Sequence, residues 1–269
     1  MEQTLDFHVK ANNLPWIAIL KGLISHLVHF FKGDIYTAFQ LSQNAVQTSE
    51  ETGDIHSKLF AYSCHGVILY AKGYLNEAKS ALLKGLEYSE TANQLWWMAG
   101  CNIYLGDVYF YIGKYQKSKN HYLNAIDLLE KAKMYPSFLN FSKVALTRTE
   151  VIADTKKIDI DSLQTHASEN KFEILHGMTK RYIAEINLHS GSEHLPGAKE
   201  WIKQSIKVDK KNGMQHQLGQ DYATYAEIYK QQGQKAKAKE NFGKAIEILN
   251  ECGADGWVEK YEKELAALQ

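Results

Sequence analysis

LYAKGYLNEAKSALLKGLEYSETAN (69–93) reads as an amphipathic run, a glycine, and a second amphipathic run. The pattern returns in FYIGKYQKSKNHYLNAIDLLEKAK (110–133) and again in IYKQQGQKAKAKENFGKAIEILNECG (228–253). Apolar residues recurring three and four apart predict helices, and a glycine between two such runs predicts a helical hairpin. The turn glycines Gly33, Gly73 and Gly113 are spaced by 40, and Gly233 lies three periods further on. The chain therefore divides into six units, opening at Ile19, Leu59, Ala99, Leu139, Thr179 and Gly219.

Other columns keep the same register. Small residues recur at Ala38, Ala78, Ser118, Ala198 and Ala238, and seven residues on at Ala45, Gly85, Ala125, Ser205 and Ala245. Residues seven apart share a helical face, where small side chains let two helices approach closely. Gly53, Asn93, Gly213 and Gly253 punctuate the unit boundary, and both residue types tolerate the left-handed conformation that ends helices.

LGDVYFYIGKYQKSKNHYLNAI (105–126) resembles a tetratricopeptide repeat, with Gly106, Tyr109, Gly113, Tyr115, Ser118, Tyr122 and Ala125 at the signature places. The usual period of this family is about 34 residues. A period of 40 resembles the longer-helix subfamily of MalT-like bacterial regulators and spindle-orientation adaptors. The resemblance implies an all-α fold, a right-handed superhelical solenoid of helical hairpins with a C-terminal capping helix. The expected layout is an N-terminal extension (1–13), six hairpins (14–253) and the cap (254–269), where Leu265 and Leu268 mark the apolar side. Unit four departs, with Ala153 and Ile158 where a glycine and a small residue belong, so a loosened joint is expected over 154–170. Unit five replaces the turn glycine with HSGSEHLPG (189–197), whose Pro196 suits a first helical turn.

The bulk numbers exclude several classes. With 31 basic and 31 acidic residues the chain lacks the basic surplus that phosphate neutralisation demands of a nucleic-acid binder. The most apolar stretch, 17–31, is broken by Lys21, Gly22, Ser25, His26 and His29, so no membrane span is expected. MEQTLDFHVK carries no basic region ahead of an apolar one, so no signal peptide is expected and the location is read as cytoplasmic. Three scattered cysteines, Cys64, Cys101 and Cys252, suit reduced thiols and small core residues rather than a disulfide framework.

No catalytic motif is present: there is no GxSxG, HExxH, phosphate-binding GxxxxGK[ST] or paired CxxC. His26 and His29 are three apart, but no third ligand stands at a matching spacing, and they read as packing residues of unit one. Asp154, Asp159 and Asp161 lack the ligand order of a calcium loop. No metal, cofactor or enzymatic reaction is therefore expected.

The resemblance places first helices on a concave surface. Facing it are Phe60, Ser63, Val67 and Tyr70 in unit two, Ile103, Tyr104, Asp107, Phe110 and Tyr111 in unit three, Lys143, Thr147 and Val151 in unit four, and Lys180, Ile183 and Asn187 in unit five. An aromatic face of this kind marks a binding surface for a protein or peptide. The family's charged clamp for chaperone tails is absent, since Leu23, Leu27 and Cys64 hold its positions and Val67 and Asp107 replace the asparagine ladder. The expected ligand is thus an apolar or amphipathic segment, bound by a signalling scaffold or by a peptide-sensing switch. Unit six offers Gln220, Ala223, Thr224, Glu227, Lys230 and Gln231, which reads as a solvated face, so binding is expected to fade toward the C-terminus.

Overall fold

The computed structural model describes residues 1–133, 135–153 and 160–268. Every regular element among them is helical. Two compact units follow one another, Met1–Ala132 and Lys133–Gln269.

The first unit holds α1 (Glu2–Lys10), α2 (Leu14–Ile24), α3 (Ile35–Thr52), α4 (Ile55–Lys72), α5 (Leu75–Thr91), α6 (Leu95–Tyr111) and α7 (Tyr115–Ala132). Helix α2 runs on into a π-helical turn, Ser25–Phe30. Within this unit α2 packs on α3, α4 on α5 and α6 on α7, while α4 also packs on α2 and α6. The second unit holds α8 (Pro136–Ile152), α9 (Ile160–Glu169), α10 (Glu173–Leu188), α11 (Leu195–Asn212), α12 (Gln215–Gln231), α13 (Lys235–Cys252) and α14 (Asp255–Ala266). There α10 packs on α11 and α12 on α13, and α10 also packs on α8 and α12.

The 40-residue columns are conformational columns. Gly33, Gly73, Gly113 and Gly233 end first helices with φ between +70° and +87°, and Gly53, Gly213 and Gly253 end second helices with φ between +65° and +78°. Asn93 holds the same boundary place at φ +51°, and Lys133 fills the next one at φ +49°, a position its residue type does not advertise. A left-handed residue there lets the chain reverse while amide groups past the helix end cap its last carbonyls. Asp34 and Asp54 open α3 and α4 by accepting the amides of Thr37 and Ser57 at 3.0 and 2.6 Å.

The small-residue columns form the contact inside each hairpin. Ala38, Ala78, Ser118, Ala198 and Ala238 are fully buried, as are Ala45, Ala125, Ser205 and Ala245. At Gly85 the partner is backbone, since an added Cβ would lie 2.9 Å from the Ser63 backbone nitrogen. At Gly106 it would lie 2.6 Å from the Tyr122 ring. All three cysteines are buried thiols outside any disulfide.

The stretch expected to loosen is only partly described, since residues 154–159 of it lie outside the described residues. Helix α9, which follows, has 10 residues where α11 and α13 have 18 each. Pro196 stands in the first turn of α11, as its sequence suggests. The terminal helix α14 is anchored chiefly by Trp257 and Tyr261, stacked on each other and buried, with Tyr261 against Phe242 of α13. Leu268 is buried beside them, and Leu265 is half-buried.

Because Ala78 and Ala238 have no accessible surface, a leucine at either position must separate its hairpin helices. Ala78→Leu and Ala238→Leu are each expected to cost about 1–3 kcal/mol. Thermal and urea melts check this, and melts matching the parent in both variants would remove these residues from the hairpin contact.

Candidate functional site

The first helices of unit one to unit three carry a connected set of rings. His26, in the π-helical turn after α2, lies 5.7 Å from both Phe30 and Phe31. It also reaches Tyr104 of α6, at 6.2 Å between centroids, although α4 packs between α2 and α6. Side chains two hairpins apart meet only where the shared face curves inward, so α2, α4 and α6 present a concave surface. Tyr70 of α4 closes the set, 5.8 Å from Tyr104 and 6.2 Å from Tyr111. At the opposite end of the same helices, Phe60 meets Trp97 edge-on at 4.6 Å.

Within that surface His26 is half-buried, yet both ring nitrogens are shielded from water and have no hydrogen-bond partner. Leaving a shielded polar atom unpaired costs about 1–3 kcal/mol. Burial pushes the His26 pKa down to about 4, so the ring is neutral near pH 7. A neutral imidazole offers one donor and one acceptor. The concave surface thus combines aromatic walls with an unsatisfied polar ring, and π-helical turns are frequent at functional sites.

The residues predicted to face a ligand divide into two groups. Phe60 and Tyr104 are half-buried on this surface, as are Lys143, Thr147 and Lys180 on the first helices of the second unit. Ser63, Val67, Tyr70, Ile103, Phe110 and Asn187 are buried between helices. Asp107, expected to set a ligand's register, is fully buried and accepts the Tyr122 hydroxyl of α7 at 2.7 Å, inside its own hairpin. Asn187 donates to the Ile183 carbonyl one turn back. Tyr111, also expected on this surface, is half-buried, whereas His26 and Phe31 were missed. The signal was in the lattice: Phe30, Tyr70 and Phe110 form one 40-residue column, and Phe31 and Tyr111 stand in the next.

The first helices of the second unit are joined by charge instead. Arg148 of α8 donates to Glu185 of α10 at 3.2 Å, and Arg181 of α10 donates to Asp221 of α12 at 3.1 Å and to the Gln217 side chain at 2.8 Å. Thr224 donates to the other Glu185 oxygen, and Tyr261 of α14 donates to Gln220 at 2.5 Å. Gln220, Ala223 and Thr224 are buried, not solvated as their composition suggested, and Gln220 and Thr224 bond to side chains of helices about one period away. Asp209 of α11 lies against Asp221, in space that a Cβ on Gly177 would occupy. Burial, and then the Asp221 charge, push the Asp209 carboxyl well above the usual carboxylate range, so it stays protonated and hydrogen-bonds its neighbour.

The described residues contain no cluster of histidine, cysteine and acidic groups able to hold a metal. No described helix is long and apolar enough to cross a membrane.

Residues 222–249 match the family model of the tetratricopeptide repeat. The fold is similar to that of the apo form of RapI, at 19% identity and TM-score 0.63, over 86% of this chain and 83% of that one. It is also similar to a Rap protein complexed with Competence and Sporulation Factor, at 12% identity and TM-score 0.58, over 92% of this chain and 77% of that one. A third likeness is to a signal transduction ATPase with numerous domains from Pyrococcus horikoshii, which has a tetratricopeptide repeat sensor. It is 17% identical with TM-score 0.51, and this chain spans 98% of itself and 45% of that protein. No curated protein matches the sequence. These likenesses define the class: an all-helical repeat protein with a tetratricopeptide-type fold.

Two pH effects follow. Between pH 6.5 and about 4 the unfolded chain takes up a proton that native His26 refuses, so stability falls as pH drops through that window. His26→Phe, which keeps a ring in the cluster, is expected to lessen the slope there by up to about 1.4 kcal/mol per pH unit. Asp209 acts with the opposite sign: above its ordinary pKa of 3.8 the native state keeps a proton the unfolded chain releases, so stability falls as pH rises. Asp209→Asn is expected to flatten that loss between about pH 5 and 8, by up to about 1.4 kcal/mol per pH unit. Urea midpoints measured across pH check both slopes, and a parental slope in either variant would refute that assignment.

Proposed function

We propose that the chain is a non-enzymatic binding scaffold, the regulatory repeat region of a bacterial signalling protein. It holds an apolar or amphipathic segment of a protein or peptide on the concave first-helix surface of its N-terminal unit. The observation that carries this reading is the half-open aromatic surface around Phe60, Tyr104, Phe31 and Tyr111, with the unpaired His26 ring set among them. Aromatic anchors supply contact area at small entropic cost, and a small shift of the neighbouring rings on binding would let a ligand's polar group reach the unpaired imidazole. The second unit supports the same choice by contrast, since Arg148, Arg181, Glu185 and Asp221 already meet one another. Lys143, Thr147 and Lys180 remain proposed contacts for that unit's own first-helix face.

The likeness to a Rap protein complexed with Competence and Sporulation Factor supports a second reading, a peptide-sensing switch whose curvature changes on binding. Compaction in small-angle scattering when a selected peptide is added would distinguish the switch from a static scaffold.

A library of short peptides, panned against the whole chain, is expected to yield apolar or amphipathic binders. Tyr104→Ala should weaken them by about thirtyfold, the loss typical of an interface anchor at about 2 kcal/mol. Phe60→Ala should act alike, and both variants should melt near the parent because their side chains are only half-buried. Selection of no binders, or of binders indifferent to both substitutions, would sink the proposal.

A further inference from the structure

A second candidate surface lies on the other side of the hairpins. In the second unit, α11, α12 and α13 enclose an open cavity of about 410 Å³ with Tyr222, Tyr225 and Tyr229 of α12 along its lining. In the first unit, α3, α4 and α5 enclose one of about 470 Å³, lined by Tyr62, His65 and Leu69 of α4. The two sets of floor residues are related by four periods of the 40-residue lattice, as are Val46 and Ile206 on the walls. The gap is therefore a product of the repeat, and its chemistry is the variable.

That chemistry differs sharply. Phe39, Gln43 and Glu77 of the first unit become Lys199, Lys203 and Lys237 in the second, while Lys84 is matched by Lys244. Lys199 and Lys237 lie over the Tyr229 ring at 4.9 and 5.4 Å, and Lys244 lies over Tyr222 at 5.7 Å. Lys244 is paired with Glu240 at 2.6 Å. Among the described residues, no carboxylate pairs with Lys199, Lys203 or Lys237, although several exposed lysines elsewhere find one, such as Lys131 with Asp127. Between the lysines, Tyr222 and Tyr225 are half-buried, with Tyr225 resting on Tyr229 at 4.6 Å, so each keeps part of its ring at the surface. Tyr229 and Tyr225 share a hydrogen bond of 2.8 Å. Burial alone would raise the Tyr229 pKa, yet that bond and the charges of Lys199 and Lys237 hold it below the ordinary phenol value. With Lys203, Lys237 and Lys244 around a single lining carboxylate, Glu240, the groove carries a positive surplus and favours negative charge.

We propose that the groove between α11 and α13 is a second docking site, for an acidic segment of a partner protein that places an aromatic or aliphatic side chain on Tyr222 and Tyr225. Unpaired lysines at the rim steer and register the acids, and the tyrosine floor supplies the desolvated contact. A small anion alone would leave the floor unused. The first unit's equivalent groove, with one lysine and one glutamate at matching positions, has no such preference. This site shares no residue with the concave surface, so the two readings stand or fall separately.

The test uses the whole chain and three labelled synthetic peptides. One alternates glutamate with leucine and tryptophan, one has the glutamates replaced by lysine, and one keeps the glutamates but replaces the apolar residues with serine. Fluorescence polarisation should show binding of the first peptide only, weakening as salt rises from about 50 to about 300 mM. Lys203→Gln combined with Lys237→Gln should weaken it by about tenfold or more. Tyr222→Ala should act similarly, with the melting temperature unchanged in each case. Equal binding to the double variant, or none to the parent, would overturn the proposal. So would equal binding of the serine peptide together with displacement by inorganic phosphate, which would make the groove a simple anion site.

Discussion

The structure depends on how closely two helices of one hairpin can approach. Alanine, serine or glycine returns at the 40-residue contact positions in every unit but the fourth, and side chains of that size bring the backbones near enough for neighbouring residues to touch across the hairpin. At Gly85 there is no room even for a methyl group. Hairpin geometry in turn determines where first helices meet each other, and so which side chains line the surface they share. Residues one period apart become neighbours, as Arg181 and Asp221 do at 3.1 Å.

That single rule yields two different surfaces because the residues placed on it differ. In the first unit the neighbours are rings, which pack without consuming one another's faces and leave Tyr104, Phe31 and Tyr111 half-buried rather than closed off. In the second they are oppositely charged, and each ion pair consumes its partners. A buried pair of this kind is poor evidence of added stability, since desolvation offsets much of its attraction. It does give register, because an arginine displaced from its carboxylate would be left charged in an apolar setting. The protonated Asp209 belongs to the same economy of charge: two carboxyls beside one guanidinium are tolerated when one keeps its proton.

The helical hairpins, their glycine turns and the tetratricopeptide-type fold were legible in the sequence. Backbone reversal and close packing leave residue-type signatures at fixed intervals, and those need no long-range information. Lys133 was not legible, because nothing in a lysine announces φ +49°; only the lattice implied it. The candidate site was half legible. Phe60 and Tyr104 meet rings of neighbouring first helices and stay half-buried, but Asp107 turns into its hairpin toward Tyr122, and Gln220 and Thr224, polar by composition, are buried.

What the sequence determined by itself is therefore the periodic part: all-helical architecture, hairpin register and the small-residue contact. Each follows from local helix geometry and from side-chain size at a repeated position. What only the tertiary structure decided is the direction in which each polar or aromatic side chain spends its interactions. His26 does pack in the first repeat, as its sequence suggests, but only the arrival of α6 puts its unpaired nitrogens beside Tyr104, and Lys199, Lys203 and Lys237 converge on three tyrosines only once α11, α12 and α13 are packed together. Burial and pairing are properties of neighbours brought in from other helices, often a full period or more away along the chain. A helix's own residues state which faces are apolar, but not which partner will arrive to cover them.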